Sequence, residues 1–177
     1  VIDNSPSMFD SSPGQVVEPN KRVYRHIVGA TAISNAYLDN ESRVAVYSFG
    51  SSDHFSDFSK DKEDIHKSLR RYSINGGTIF NPRFLESILS QSGEEFDISV
   101  ISDMAISNLD GFVDTVLKIP RMHRIHLLYT NEGQEAKSYV DHVKERFVNQ
   151  DNVAILPLVR EGDVTKIIMG ELTKSIA

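Results

Sequence analysis

Three short stretches of the sequence carry groups that could do chemistry together. Asp3-Asn4-Ser5-Pro6-Ser7 sets a carboxylate and two hydroxyls at every second position, Gly76-Gly77-Thr78 offers a hydroxyl on a glycine turn, and Ser102-Asp103 places a second carboxylate directly after an apolar run. Where a chain is extended, residues two apart point the same way, so Asp3, Ser5 and Ser7 can converge on one point. Asp3, Ser5, Ser7, Thr78 and Asp103 together form an oxygen-only donor set of two carboxylates and three hydroxyls. Such a set suits a hard octahedral cation, magnesium or alternatively manganese, with water completing the shell. A divalent cation held this way keeps an affinity for one more anionic oxygen, which the Asp or Glu of a partner protein can supply. No evident nucleophile or general base accompanies the set, so it reads as a binding site and not a catalytic one.

Converging these residues requires elements that end at one edge. Residues 4–20 have the Ser, Pro, Gly and Asn density of a loop, and a helix follows over 20–38, with Asn20 as its cap and Val23, Ile27, Ala30, Ser34 and Tyr37 on one face. The run 44–49 reads as a strand, and only Gly50-Ser51-Ser52 separates it from an extended piece containing Phe55 and Phe58. So short a link predicts an antiparallel pair. A polar helix over 61–71, the glycine turn, and a helix over 81–91 with Asn81 as cap and Pro82 at its first position come next. The rest alternates: strand 98–102, helix 108–118, strand 125–129, helix 134–148, strand 153–158 and helix 163–175. This alternation predicts an α/β fold, a doubly wound, mostly parallel sheet of the Rossmann-like three-layer kind with one antiparallel edge strand. In such sheets ligands bind at the carboxyl ends of the strands, where the winding direction reverses. Asp103 joins Asp3 there if the first and fourth strands are neighbours.

Composition narrows the options. The 177 residues, 40% hydrophobic and 25% charged, are enough for one domain with a full core, here taken as residues 1–177. With no cysteine, thiol nucleophiles, disulfides and thiolate metal sites are excluded, so any metal site uses oxygen or imidazole. A net charge of -6 argues against nucleic acid as the main partner. No apolar run is long enough to span a membrane. The missing cysteines and the lack of a signal segment point to a cytoplasmic setting.

The combination Asp3-x-Ser5-x-Ser7 with Met8, Gly76-Gly77-Thr78, and Ser102-Asp103 at a strand end resembles the metal-ion-dependent adhesion site of von Willebrand factor type A domains. The resemblance extends over essentially the whole chain, including the order of elements. It implies that Ser5, Ser7 and Thr78 coordinate the metal through their hydroxyls and that Asp3 and Asp103 act directly or through water. It also implies a role in protein–protein interaction, for intracellular members often within multi-subunit assemblies that include AAA-type ATPases of the MoxR or metal-chelatase class. In that family positions 6 and 104 are commonly Gly, whereas here they are Pro6 and Met104, which would set a bulky apolar group beside the metal.

Two other readings compete with this one. A magnesium-dependent phosphoryl-transfer or hydrolytic enzyme would also use a strand-end acid, but the haloacid-dehalogenase-like arrangement needs a second acid two residues on, where this chain has Ser5. Phosphate-loop, dinucleotide and nucleophile-elbow motifs are absent. A degenerate scaffold that binds no metal is the third reading. His123 and His126, three apart on a strand, face opposite sides and read as structural. Asp57, Asp61, Glu63 and Asp64 read as a solvated helix start. Only two residues precede Asp3, whereas strands run to about five or six, which leads to the expectation of a domain cut from a longer protein.

Overall fold

The computed structural model describes residues 1–5, 8, 22–50, 52–70, 77–91, 93–130, 134–160 and 162–172. Six strands form one sheet: β1 (Ile2–Asp3), β2 (Tyr47–Phe49), β3 (His54–Phe55), β4 (Asp97–Ser102), β5 (Arg124–Tyr129) and β6 (Val153–Pro157). Their spatial order is β3-β2-β1-β4-β5-β6. Every neighbouring pair is parallel except β2 and β3, which pair antiparallel through Tyr47↔Phe55 and Ser48↔His54. The winding therefore reverses between β1 and β4, the two strands that carry Asp3 and Asp103 at their ends.

The helices are α1 (Arg22–Asp39), α2 (Lys62–Leu69), α3 (Pro82–Gln91), α4 (Leu109–Leu117), α5 (Gln134–Arg146) and α6 (Asp163–Ile167). They divide between the two faces because successive strand residues point to opposite sides. Val100 and Leu127 enter one apolar cluster with Leu85, Phe112, Val113 and Val143 of α3, α4 and α5. Their chain neighbours Ile101 and Leu128 enter the other, with Ala30 and Ile33 of α1, Ile65 of α2 and Ile167 of α6. Strands buried on both faces read as apolar-rich runs, as 98–101 and 125–128 do with Ser99 and His126 the polar exceptions.

Local chemistry sets the element starts. Asp61 caps α2 by accepting from the Glu63 and Asp64 N–H groups at 2.7 and 3.3 Å, so this acidic stretch begins a helix as expected. Asn81 Oδ1 accepts from the Arg83 N–H at 3.2 Å ahead of Pro82. The expected cap Asn20 lies outside the described residues. His123 lies in the turn before β5 and not on the strand, its Nδ1 accepting from the Phe96 N–H at 3.1 Å; His126 lies within β5, and both rings are buried.

Two elements are shorter than their sequence patterns predict. The strand read over 44–49 is regular only at Tyr47–Phe49. Upstream, Val44 makes a bridge to Ser59 and the Val46 N–H is taken by the Ser56 hydroxyl at 2.8 Å, so a side chain replaces a ladder bond. The last helix, read over 163–175, is α-helical only to Ile167 and continues as a π-helical turn over Ile168–Leu172. Gly170 lies in that turn and has the low helical preference that favours such a break.

Candidate functional site

Pairing on both sides positions β1. Ile2 lies level with Ile101 of β4, Asp3 lies level with Phe49 of β2, and the Asn4 N–H donates to the Phe49 carbonyl at 2.8 Å. Asp3 thus comes alongside Ser102, with Asp103 next along β4. Both carboxylates are almost wholly buried, each 1% exposed. Asp3 Oδ1 accepts from the Ser5 N–H at 2.9 Å, and its Oδ2 accepts from the Ser102 hydroxyl at 2.6 Å. That hydroxyl accepts in turn from the Met104 N–H at 2.9 Å. Asp103 Oδ1 accepts from the Ala105 N–H at 2.9 Å. Each acid therefore closes the turn that follows its own strand, the habit of Asp at such positions.

Burial has an electrostatic consequence. The Asp3 carboxyl is pushed up to about 6, mainly by burial, with the negative charge of Asp103 acting in the same direction; the hydrogen bonds from Ser102 and Ser5 oppose the shift. Desolvation disfavours a charged carboxylate, and a second acid nearby adds to that penalty.

The Thr78 loop is tied to the turn after β4. The Ser107 N–H donates to the Thr78 carbonyl at 2.7 Å. Asn108 then grips Phe80 at both backbone groups, accepting from its N–H at 2.9 Å and donating to its carbonyl at 2.8 Å. Thr78 and Phe80 are buried, while Ile79 between them is exposed. On the other side, at the end of β5, Thr130 is buried; its N–H donates to the Ser102 carbonyl at 3.0 Å and its hydroxyl to Met8 Sδ at 3.7 Å.

The structure thus brings Asp3, Ser5 and Asp103 to the carboxyl ends of adjacent central strands and anchors the Thr78 loop to the turn following Asp103. Ser7, with Pro6 and Gly76, lies outside the described residues. Met104, expected to set its side chain beside the metal, has φ 64, and its fully buried side chain joins the apolar cluster of Phe49, Phe80 and Phe112. Only a few per cent of non-Gly residues adopt this backbone conformation, and here the Ser102 hydroxyl and the side chain's burial hold it.

The sequence assigns no role to three residues at this end of the sheet, one of them, Ser102, although it stands in the motif beside Asp103. Ser102 is a polar residue closing an apolar strand and touches Asp3 directly. Thr130 follows the apolar run of β5 in the same way. Asn108 stands at the start of α4 and looks like a cap, yet it makes no capping bond, because Phe80 takes its side chain. The first two could have been found by asking which polar residue ends each apolar run.

The donors present fit a hard cation: they are all oxygens, two of them from buried carboxylates, of which Asp3 is held above the usual carboxylate range by its burial. Among the described residues no group of three or more His, Asp or Glu side chains is placed to hold a metal. The proposed set, built on two carboxylates and hydroxyls, is of a different kind.

No protein-family model matches the chain, and no curated protein matches it. Solved structures do share the fold. One is the conserved hypothetical protein BatB from Bacteroides thetaiotaomicron, with a TM-score of 0.60 at 14% identity, the match covering 98% of this chain and 95% of that one. Another is an aerotolerance-related membrane protein from Bacteroides fragilis carrying multiple mutations to serines, with a TM-score of 0.58 at 14% identity and coverage of 98% and 96%. At this identity the likeness concerns the fold alone. Among the described residues no helix is long and apolar enough to cross a membrane.

Proposed function

We propose that the protein is a metal-dependent interaction module of the von Willebrand factor type A kind, which captures an acidic side chain of a partner protein at the carboxyl ends of β1 and β4. The observation that carries this reading is the Asp3–Asp103 pair: two carboxylates, each 1% exposed, at the ends of adjacent strands where the winding reverses. Buried acids side by side are costly unless something positive compensates them. Magnesium, or manganese in its place, would supply that charge and a Lewis-acidic position for the partner's Asp or Glu.

The hydroxyls of Ser5, Ser7 and Thr78 are the neutral ligands in this reading. Asp3 has both carboxylate oxygens already accepting hydrogen bonds, so it suits a role through bound water. Ser102 and the Ser5 N–H orient Asp3, and Asn108 holds the loop that presents Thr78. The assembly we propose is a multi-subunit one on the cytoplasmic side, with an AAA-type ATPase of the MoxR or chelatase class among its components.

Calorimetric titration of magnesium and manganese into the wild type, Asp3→Ala and Asp103→Ala tests the site. Saturable binding by the wild type that either substitution abolishes is expected. A wild type that binds neither ion refutes the reading in favour of a scaffold without metal. Metal-dependent turnover of a generic phosphate ester would instead point to an enzyme. Partner capture that stops on adding chelator is the expected result at the protein level.

A further inference from the structure

One edge of the sheet ends at β6. Among the described residues no strand lies beyond it, and its register with β5 runs from Ile125↔Val153 to Tyr129↔Pro157 without a bulge. Edge strands are ordinarily kept from pairing by short length, charge or a bulge. At the opposite edge β3 has only two residues, whereas β6 reads Val-Ala-Ile-Leu-Pro, five residues with no charge. Val153 to Leu156 are half-buried and Pro157 is exposed.

The ladder decides which peptide groups face outward. The Ile125 N–H donates to the Asn152 carbonyl and the Leu158 N–H donates to the Tyr129 carbonyl, each at 2.8 Å. The even-numbered residues of β6 therefore turn their peptide groups to β5, and the odd-numbered Val153, Ile155 and Pro157 turn theirs away. Pro157 has no N–H, and the Val153 N–H reaches the Gln150 carbonyl only at 3.4 Å. Ile155 stands in the middle of this row, with both its N–H and its carbonyl directed outward.

We propose that β6 pairs antiparallel with β6 of a second copy about a twofold axis through Ile155, joining the two six-stranded sheets into one. A twofold contact must be self-complementary, and this strand is so in backbone, side chains and charge. The two Ile155 residues exchange both bonds, as residues directly opposite in an antiparallel pair do. Each Val153 N–H, held by Gln150 only at 3.4 Å, faces the Pro157 carbonyl of the other copy. Val153 and Ile155 pack on the α5 side of the sheet and Leu156 on the α1 side. On the first side Ile155 meets Ile155 and Val153 meets Pro157; on the second the bulky Leu156 lies against the small Ala154. Moving the axis by one residue sets Leu156 against Asn152 in one direction, and in the other sets the Ile155 carbonyl against Pro157, which has no N–H. Beyond the strand, exposed Asp151, which holds Arg121 loosely at 3.7 Å, comes beside exposed Arg160 of the second copy, so opposite charges meet at both ends. Strand addition at a sheet edge is a common mode of recognition; here the antiparallel sense turns the Asp3 and Asp103 ends of the two copies away from each other.

Sedimentation velocity and residue-resolved amide exchange in chelator, at about 10 µM and about 1 mM chain, test the pairing, because a contact smaller than a standard interface dissociates within this range. A monomer at the lower concentration and a dimer at the higher are expected. Exchange at Ile155 should slow about threefold or more on going to the higher concentration, while Ala154 and Leu156, already bonded to β5, stay unchanged. Asp151→Arg and Arg160→Glu should each weaken the dimer several-fold, and the double variant should restore it. A chain that stays monomeric at the higher concentration, or a dimer in which Ile155 exchanges as in the monomer, would overturn the proposal. So would a double variant that associates no better than either single one. Chelator removes any metal-bridged contact, so the outcome is independent of the reading at Asp3 and Asp103.

Discussion

Asn108→Ala separates the scaffold of the candidate site from its chemistry. Asn108 makes two hydrogen bonds to Phe80, at 2.9 Å to the N–H and 2.8 Å to the carbonyl, and Phe80 is 1% exposed. Truncation leaves both backbone groups without those bonds in a largely dry position. Each unsatisfied buried group costs about 1–3 kcal/mol; because these bonds are only partly buried, we take the lower half of that range, for a total of about 2–4 kcal/mol. For a chain of this size that corresponds to a fall in Tm of about 4–16 °C. The same change releases the segment that carries Thr78, so magnesium affinity should fall several-fold. Thr78→Ala is the partner experiment: it deletes a hydroxyl that the proposed site uses as a ligand while keeping the Asn108 grip, so metal binding should drop with Tm within about 2 °C of wild type. Thermal melts in chelator followed by magnesium titration read both quantities. If Asn108→Ala melts with the wild type, or Thr78→Ala is destabilised as much as Asn108→Ala, the division between grip and ligand is wrong.

Three further outcomes follow from single residues. Met104→Gly relieves a left-handed backbone worth about 1–2 kcal/mol but deletes a fully buried side chain worth about 2–5 kcal/mol, so urea denaturation should show a net loss; a gain would mean that backbone strain dominates. His26 is buried and its imidazole is pulled down to about 3, by burial first and then by the Val1 amine. The unfolded chain therefore takes up this proton at higher pH than the folded one, so stability is fully present above about 6.5 and lost as pH falls, by about 1.4 kcal/mol per unit. His26→Leu should flatten the stability curve between pH 6.5 and 5, and parallel curves for the two proteins would contradict the assignment. Asp3 has the opposite sign: with its carboxyl raised to about 6, the folded state binds the proton more tightly, and stability is lost as pH rises through that value. In chelator at pH 7, Asp3→Asn should therefore be more stable than wild type by about 2–3 kcal/mol while losing any stabilisation by magnesium; equal stability in chelator would show that Asp3 carries no burial penalty.

How far the sequence reveals this molecule depends on how local the deciding interactions are. The runs 98–101 and 125–128 are apolar except at Ser99 and His126, a density that marks central strands, and the alternation with helices implies the parallel order that brings the ends of β1 and β4 together. Asn81 and Asp61 cap helices through bonds two or three residues away, so their roles are visible in the local pattern. Asn108 could not be read this way, since its partner Phe80 lies 28 residues back along the chain. Nor could the shortening of β2, where the Ser56 hydroxyl captures a backbone N–H ten residues away. Met104 departs from the glycine that the backbone conformation favours, and only the packed structure explains it, through Phe49, Phe80 and Phe112.

Sharing a fold does not decide among functions, because the same sheet hosts many chemistries and a likeness at 14% identity reflects the apolar pattern more than the site. What narrows the choice here is the set of groups at one sheet edge. An aspartyl nucleophile at the end of β1 would need a second acid two residues on, and Ser5 occupies that position with its N–H spent on Asp3. Both oxygens of Asp3 accept hydrogen bonds, which blunts attack on an electrophile but leaves lone pairs for metal-bound water. Ser102, the group closest to Asp3, donates its proton to the carboxylate and is occupied in turn by the Met104 N–H, so it is no free nucleophile either. Acids that are buried, fixed and already hydrogen-bonded suit the proposed cation-bridged protein contact better than covalent chemistry, because they hold their oxygens in place.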